Sequence, residues 1–315
     1  MSFAQEVKRD IITGSFSDDE LKAELYGIIK LKAEYIISNK NLHIEIVTTS
    51  LSISRRIATL FIKLYGINLE IAYKERQNLS RGKLYYLVIR DCHEVLVSLG
   101  LINGQLNIID AIPSIYDNNK DAVLRGMFLA KGSVNDPQKS NYHLEIACDY
   151  QEEVDWIISA LAEYGIEAHM VNRKNRLIAY VKKAENIGDF LKIIGATNTL
   201  FHYENERIKR DLNNVVNRVI NCDIANSDRT NAASSRQLNE IKYIEDTTGF
   251  GGLKNRLMEV ILLRTSNPYS SLNEMSEISE ETVGRYLSKS NINHCLRDIS
   301  EMAKKLGYEE EEAND

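Results

Sequence analysis

The sequence has few of the residues that build disulfide frameworks and none of the long apolar runs that cross membranes. Its four cysteines stand at positions 92, 148, 222 and 295 of 315 residues, with no CxxC pair. This usage excludes a zinc ribbon and disfavours a disulfide framework, so we expect a reducing cytoplasm. No apolar run approaches the roughly 18 residues of a transmembrane helix. The polar, amphipathic start of the chain also lacks the pattern of a signal peptide.

The motifs of common phosphate-binding and nucleophilic sites are also missing. There is no Walker-type glycine loop and no nucleophile elbow, and GFGGL (249–253) follows a predicted helix, which favours a turn. His43 with Glu45 and His143 with Glu145 occupy matching places, and we expect them to lie on strand surfaces without binding a metal. No cofactor is therefore expected.

The net charge of −6 does not identify a partner. The last seven residues, EEEEAND, carry five acids, and the rest of the chain has 39 bases and 40 acids, a net charge of −1. A nearly neutral chain can still hold separate basic and acidic faces, so bulk charge neither supports nor excludes nucleic acid.

An internal repeat organises the first two thirds of the chain. Matched pairs lie 99 residues apart, or 100 in the last case: Leu25 and Leu124, Gly27 and Gly126, Gly66 and Gly165, His43 and His143. We therefore predict two copies of one α/β unit between residue 18 and about residue 203. The periodicity of each copy reads as helix, strand, helix, strand, strand, helix.

Local signals place several elements of the two copies. Ser17 to Glu20 form a capping-box start to the first helix, and residues 42–48 alternate as a half-buried strand. Helices are predicted over 57–66, 154–164 and 187–194.

Basic residues are concentrated in the same strand pair of each copy. Residues 74–90 hold five bases and one acid, and residues 172–183 hold five bases and no acid. A pair of basic hairpins related by a pseudo-twofold axis could contact a duplex backbone, although a solvated hairpin could carry the same charges. The candidate contacts to the DNA backbone are seven residues of these hairpins and one residue of the segment that follows the repeats: Lys74, Arg76, Arg81, Lys83, Arg173, Lys174, Arg176 and Arg218.

Two segments resemble the motif of the LAGLIDADG homing endonucleases: LRGMFLAKG (124–132) and, more weakly, LYGIIKLKA (25–33). In that family two such helices pack together through their glycines, and each ends in an acid that binds a catalytic metal ion. The corresponding residues here are Lys32 and Lys131. An ammonium group offers no lone pair and repels a cation, so the resemblance implies a nuclease scaffold without its active site.

Three longer segments, 125–146, 213–226 and 288–306, resemble the WhiA family of bacterial regulators. They occur in the family's order, and the resemblance extends over nearly the whole chain. The resemblance implies an α+β fold, in which a duplicated LAGLIDADG-type αββαββ-like saddle domain precedes an all-α helix-turn-helix domain similar to region 4 of sigma factors. It also implies a transcription regulator of sporulation, or of cell division and chromosome segregation, that is not an enzyme.

The expected partner is double-stranded DNA at promoters, in the cytoplasm and at the nucleoid. In parts of the family an iron–sulfur regulator is a further partner. No membrane partner is expected. A monomer is expected, because the pseudo-twofold axis gives one chain a symmetric surface.

Four segments are predicted along the chain. Residues 1–110 form the first repeat with its N-terminal helix, 120–203 the second repeat, 204–230 a helical linker, and 231–315 the helix-turn-helix domain with the acidic tail. The segment 104–120, which contains Pro113, joins the two repeats. The linker has an apolar helical face formed by Val215, Val216, Val219 and Ile220. We expect it to dock on the first domain or to meet the DNA backbone.

The last domain is predicted from helical spacing. One helix covers 253–263 and stops before Pro268, a short helix capped by Ser270 or Ser271 covers LNEMSEI, and a short turn through ETVGRYL follows. The final helix covers 288–306. Its predicted buried stripe is Ile292, Leu296, Ile299, Ala303 and Leu306.

The polar residues off that stripe predict a recognition helix. The candidate DNA contacts are Ser288, Lys289, Ser290, Asn291, Asn293, His294 and Arg297. Asn suits adenine and Arg suits guanine, whereas Lys289 and the serines suit phosphates. A three-helix bundle with a polar face is the alternative that spacing alone allows. The family usually has a base where Cys295 stands, and we expect its loss to weaken a phosphate contact.

The sequence leaves two further functions open. One is an active metal-dependent endonuclease that takes its acids from elsewhere, such as Glu24 or Glu34. The other is a scaffold whose saddle-shaped repeat domain holds a protein.

Overall fold

The computed structural model describes residues 2–38, 41–75, 82–104, 107–139, 141–173 and 176–309. The chain divides into two units, Met1–Asp211 and Leu212–Asp315, and each has its own hydrophobic core. Within the described ranges, no helix combines the length and the apolar character needed to cross a bilayer.

The first unit contains the two repeats, preceded by α1 (Phe3–Thr13). The first repeat consists of α2 (Asp18–Lys32), β1 (Ala33–Ser38), β2 (Asn41–Thr48), α3 (Leu51–Tyr65), β3 (Ile71–Glu75), β4 (Lys83–Ile89) and α4 (His93–Ser98). A 3-10 helix (Ser114–Asn119) leads into the second repeat. This repeat consists of α5 (Lys120–Lys131), β5 (Gly132–Val134), β6 (Leu144–Cys148), α6 (Gln151–Glu163), β7 (His169–Arg173), β8 (Arg176–Val181) and α7 (Ala184–Ile193).

Each repeat forms one antiparallel four-stranded sheet, with strand orders β1-β2-β4-β3 and β5-β6-β8-β7. The registers match as well, because Ala33 pairs with Ile46 and Gly132 pairs with Ile146. The duplicated αββαββ order implied by the family resemblance is therefore confirmed. The order obtained from local periodicity was wrong, because it omitted the strand that directly follows the first helix of each repeat.

Helix caps explain most of the element boundaries. Ser17 begins α2 with the predicted capping box, in which its hydroxyl accepts from the backbone N–H of Glu20. Gly66 ends α3 with φ of 70°, a left-handed conformation that glycine adopts without strain. The helix predicted over 57–66 begins earlier, at Leu51, because Ser50 caps it.

The second unit is helical. It contains the later part of a 52-residue helix, α8 (Thr197–Thr248), followed by α9 (Asn255–Ser266), α10 (Leu272–Val283) and α11 (Lys289–Lys305). The segment 204–230 assigned to a linker lies within α8. The apolar face predicted there is about half exposed, with exposed fractions of 57% for Val215, 52% for Val216, 56% for Val219 and 47% for Ile220.

The four cysteines divide into one exposed and three buried thiols. Cys222 is exposed, whereas Cys92, Cys148 and Cys295 are buried. Burial raises the pKa of each buried thiol, that of Cys148 to about 12. These three thiols stay protonated at pH 8 and react slowly, since the thiolate is the nucleophile. We expect a disulfide reagent at pH 8 to modify one thiol rapidly in the folded protein and all four after unfolding. Cys222→Ser should remove the rapid phase, and its persistence would contradict this burial pattern.

Candidate nucleic-acid interface

The centre of the first unit is the close packing of α2 against α5. A Cβ atom at Gly126 would lie 2.0 Å from the backbone oxygen of Glu24, and one at Gly27 would lie 2.4 Å from that of Val123. Glu24 stands three positions before Gly27, and Val123 stands three positions before Gly126. The crossing is therefore pseudo-symmetric, and only glycine permits it.

The two helices end in the lysines that stand at the metal-binding positions of the LAGLIDADG motif. Nζ of Lys131 lies 2.5 Å from Oδ2 of Asp149, and Arg176 and Lys32 line the same cavity of about 310 Å³. Burial, and then the charges of Lys131 and Arg176, lower the pKa of Lys32, although Asp149 acts in the opposite direction. The helix ends therefore carry cations where a nuclease holds acids. In the described part of the chain, no three His, Cys, Asp or Glu side chains lie close enough to hold a metal ion.

The hypothesis that Glu24 serves as a metal-binding acid is wrong. Its side chain is fully buried, and both oxygens are used by arginines. Arg56 donates from Nε to Oε1 at 2.8 Å and from Nη2 to Oε2 at 2.9 Å, and Arg125 donates from Nε to Oε2 at 3.0 Å. The Phe16 ring lies over Arg125, with its centroid 3.6 Å from Cζ. Glu24 is thus part of the core at the helix crossing.

The predicted basic hairpin residues are exposed where the structure describes them. Arg173 and Arg176 lie directly opposite each other on β7 and β8, and Nζ of Lys83 lies 4.3 Å from the ring centroid of Tyr73. Lys74 lies on the outer β3 strand, and Arg218 is exposed on α8. Three further predicted contacts lie outside the described residues: Arg76, Arg81 and Lys174.

Carboxylates share these sheet surfaces with the bases. Glu34 on β1 lies directly opposite Glu45 on β2, and Nε2 of His143 lies 3.0 Å from Oε2 of Glu145. Directly opposite residues of an antiparallel pair share a face, so Glu34 and Glu45 put two acids together on the first sheet. The sheets therefore present charges of both signs.

The last helix of the second unit has one buried and one exposed side. Ile292, Leu296, Ile299 and Ala303 are buried as predicted. Ser288 caps the helix, since its hydroxyl accepts from the backbone N–H of Asn291 at 3.3 Å. Of the other predicted contacts, Asn293 is partly buried and these are exposed: Lys289, Ser290, Asn291, His294 and Arg297.

Two buried serines fix the turn between α10 and α11. The hydroxyl of Ser276 donates to the backbone oxygen of Leu287 at 2.7 Å, and the hydroxyl of Ser279 accepts from the backbone N–H of Leu287 at 2.9 Å. Gly284 ends α10 with φ of 79°. The prediction of two separate short pieces before α11 was wrong, since Ser271 caps a single helix of 12 residues.

Ion pairs on α11 involve Asp298 and His294, whereas two of its predicted DNA contacts form none that the structure describes. Asp298 lies 2.7 Å from Nη2 of Arg256 and 3.2 Å from Nδ1 of His294. Among the described residues, no ion pair includes Lys289 or Arg297. These two cations remain available for an external anion or a base edge.

Cys295 lies on the buried side of α11. Its side chain is 1% exposed and belongs to the core of the second unit. Its thiol lies 3.7 Å from Oδ1 of Asn291. Position 295 therefore faces the core of the second unit, and the expected effect of Cys295 on a phosphate contact stays a prediction.

Comparison with known proteins places this architecture in one family. Models described as the WhiA N-terminal LAGLIDADG-like domain, the WhiA LAGLIDADG-like domain and the WhiA C-terminal HTH domain match residues 18–102, 120–213 and 216–303. A protein of Listeria welshimeri named "Probable cell division protein WhiA" is 36% identical in an alignment of 310 positions that covers 97% of this chain and 95% of that protein. The chain belongs to the WhiA family. An Oceanobacillus iheyensis protein of the same name is 37% identical over 97% of this chain and 98% of its own length.

A solved WhiA structure has the same fold. The crystal structure of full-length DUF199/WhiA from Thermatoga maritima aligns with a TM-score of 0.59 at 26% identity, covering 98% of this chain and 100% of that one. The confirmed fold is thus a duplicated LAGLIDADG-like unit followed by a helical HTH unit.

Two groups of residues were not predicted from the sequence of this WhiA-family chain. The first is the ion-pair cluster of Glu24, Arg56 and Arg125, whose only signal was a charge inside an apolar helical stretch. The second is Lys8 on α1 with the hydroxyl-rich segment 48–52, which line a cavity with Lys32. No local pattern joins segments so far apart in the chain.

Proposed function

We propose that this chain is a sequence-specific DNA-binding transcription regulator that acts in cell division and chromosome segregation, or in sporulation, without cutting DNA. The observation that carries the proposal is the exposed polar side of α11, where Lys289 and Arg297 form no ion pair with any described residue. The HTH family model supports it, as does the name "Probable cell division protein WhiA" given to the relatives.

The second unit is suited to reading DNA because the buried side of α11 packs against the other helices and fixes its position. Its buried stripe packs in the core with residues of α8, α9 and α10, and Ser276 and Ser279 fix the preceding turn. The N-terminal half of the helix then projects polar side chains, as a recognition helix requires. Arg297 is suited to bidentate contact with guanine and Asn291 to contact with adenine.

We expect Arg297→Ala to weaken specific DNA binding by about 1–3 kcal/mol if Arg297 reads a base. The preferred site is first selected from a random duplex library with the full chain, and affinities are then measured by fluorescence anisotropy. Lys304→Ala is the matched control, because Lys304 is an exposed base in the last turn of the same helix. Equal affinities for Arg297→Ala and the parent protein would remove Arg297 from the interface.

The same variant tests the place of action. Crosslinking occupancy across the genome should give sharp promoter peaks for the parent protein and lose them for Arg297→Ala. Peaks that survive in a truncation after residue 230 would move recognition to the first unit.

The absence of cutting is proposed from the cations at the helix ends. Lys32 and Lys131 stand where acids would bind metal ions, and the buried Glu24 is engaged by two arginines. Supercoiled plasmid incubated with the full chain and Mg²⁺ or Mn²⁺ should remain uncut. Nicking that grows with protein concentration would support the endonuclease alternative.

A further inference from the structure

The first unit contains a cavity of about 520 Å³ whose charged lining is entirely basic. Its described lining includes Lys8, Arg9, Lys32 and Arg55, and no aspartate or glutamate. Lys8 lies on α1, before the repeats begin, so this cavity extends beyond the duplicated scaffold.

Lys8 and Lys32 are unfavourable neighbours in the absence of an anion. Burial, and then the charge of Lys32, lower the pKa of Lys8 to about 8. The ammonium group of Lys8 lies 5.4 Å from the ring centroid of Phe128, which offers only a weak cation–π contact. Asp149, the carboxylate that acts on Lys32, is already bonded to Lys131. Two partly desolvated cations therefore share one cavity whose described lining contains no carboxylate.

Hydroxyl groups complete the lining opposite the lysines. Thr48, Thr49, Ser50 and Ser52 all border the cavity, at the point where α3 begins. The Thr48 hydroxyl accepts from the N–H of Ser50 at 3.2 Å, and the hydroxyls of Ser50 and Ser52 lie 2.9 Å apart. Hydroxyl donors and ammonium groups together are the groups that bind the oxygens of a phosphoryl anion.

We propose that this cavity, which we call the α1–α3 pocket, binds a phosphoryl group through Lys8, Lys32 and the hydroxyls of residues 48–52. The group belongs either to a small phosphorylated molecule or to the backbone of bound DNA. The pocket lies in the first unit, so this proposal does not depend on base reading by α11.

The test uses the full chain and three substitutions. Lys8→Gln and Lys32→Gln each remove one ammonium group, and Lys63→Gln is the control. Lys63 pairs with Asp18 at the surface and does not line the pocket. Titration calorimetry with inorganic pyrophosphate measures the small-molecule source, and anisotropy with a random 20-base-pair duplex at several salt concentrations measures the DNA source.

Two results support the pocket, and each identifies its source. If the ligand is a small molecule, pyrophosphate binds, and each pocket substitution lowers its affinity at least about ten-fold because a charge-assisted hydrogen bond is lost. If the ligand is the DNA backbone, each pocket substitution weakens duplex binding and reduces the slope of log affinity against log salt concentration by about one. In both cases Lys63→Gln behaves as the parent protein.

The proposal is overturned if neither pyrophosphate nor duplex binding changes in Lys8→Gln and Lys32→Gln. It is also overturned if Lys63→Gln has the same effect, because that would indicate general charge attraction. Arg297→Ala is measured in the same duplex assay, so failure of the pocket and failure of the recognition helix are distinguishable.

Discussion

Replacing Glu24 with alanine is expected to destabilise the first unit by about 3–5 kcal/mol, the usual cost of removing one partner from a buried ion pair. The substitution leaves Arg125, which is 1% exposed, and the mostly buried Arg56 without their shared carboxylate. The Phe16 ring lies over the guanidinium group of Arg125 and limits its access to solvent. Urea unfolding followed by the fluorescence of Trp156, the only tryptophan, reports on this unit.

An exposed ion pair of the same unit provides the control for Glu24. Lys63 and Asp18 lie 2.8 Å apart, but both side chains are largely exposed. Lys63→Ala should therefore cost at most about 1 kcal/mol. A second comparison replaces all three members of the cluster, as Glu24→Met, Arg56→Leu and Arg125→Met. Apolar packing often compensates for a removed cluster, so we expect this variant to be more stable than Glu24→Ala. A loss for Glu24→Ala no larger than that for Lys63→Ala would contradict the buried ion pair.

The ion-pair cluster breaks the pseudo-symmetry of the helix crossing. The residue equivalent to Glu24 in the second repeat is Val123, and the one equivalent to Arg125 in the first is Tyr26. One side of the crossing is thus held by charges, and the other by the packing of Tyr26 on Tyr116, whose ring centroids lie 4.5 Å apart. Such asymmetry lets α2 and α5 recognise each other and disfavours pairing of either helix with its own copy in another chain.

Local chemistry explains which elements could be predicted from the sequence. The capping box at Ser17 and the glycine stop at Gly66 are short-range signals, and the structure has both. The strands β1 and β5 were missed because α2 and α5 run directly into them without a proline or a helix-ending turn. Only pairing with β2 and β6 turns those residues into strands, and pairing partners are not visible in a local window.

Long-range contacts explain what was missed at the candidate sites. Arg125 is 101 residues from Glu24, and no spacing rule joins them. Cys295 is a different case. It stands three residues after Ile292 and four before Ile299, so helical spacing alone predicts its burial.

The helix crossing itself is the second place where a small change should have a large effect. Gly126→Ala is expected to destabilise the first unit by about 3 kcal/mol, the upper end of the usual cost of overpacking. The new methyl group would lie 2.0 Å from the backbone oxygen of Glu24. A backbone atom cannot rotate away as a flexible side chain can, so α2 and α5 must move apart. This cost exceeds the roughly 1 kcal/mol that alanine gains over glycine within a helix.

Gly82→Ala is the matched control, because nothing lies within 4 Å of a Cβ atom there. It should change the free energy of unfolding by no more than about 0.5 kcal/mol in the same Trp156 assay. Gly27→Ala tests the pseudo-symmetry, since its methyl group would meet the oxygen of Val123 at 2.4 Å. We expect it to cost nearly as much as Gly126→Ala. If the two variants differed widely, the backbone approach at the two glycines would not be equivalent. If both matched Gly82→Ala, the helices would not pack at backbone contact, and the lysines at their ends would have no fixed spacing.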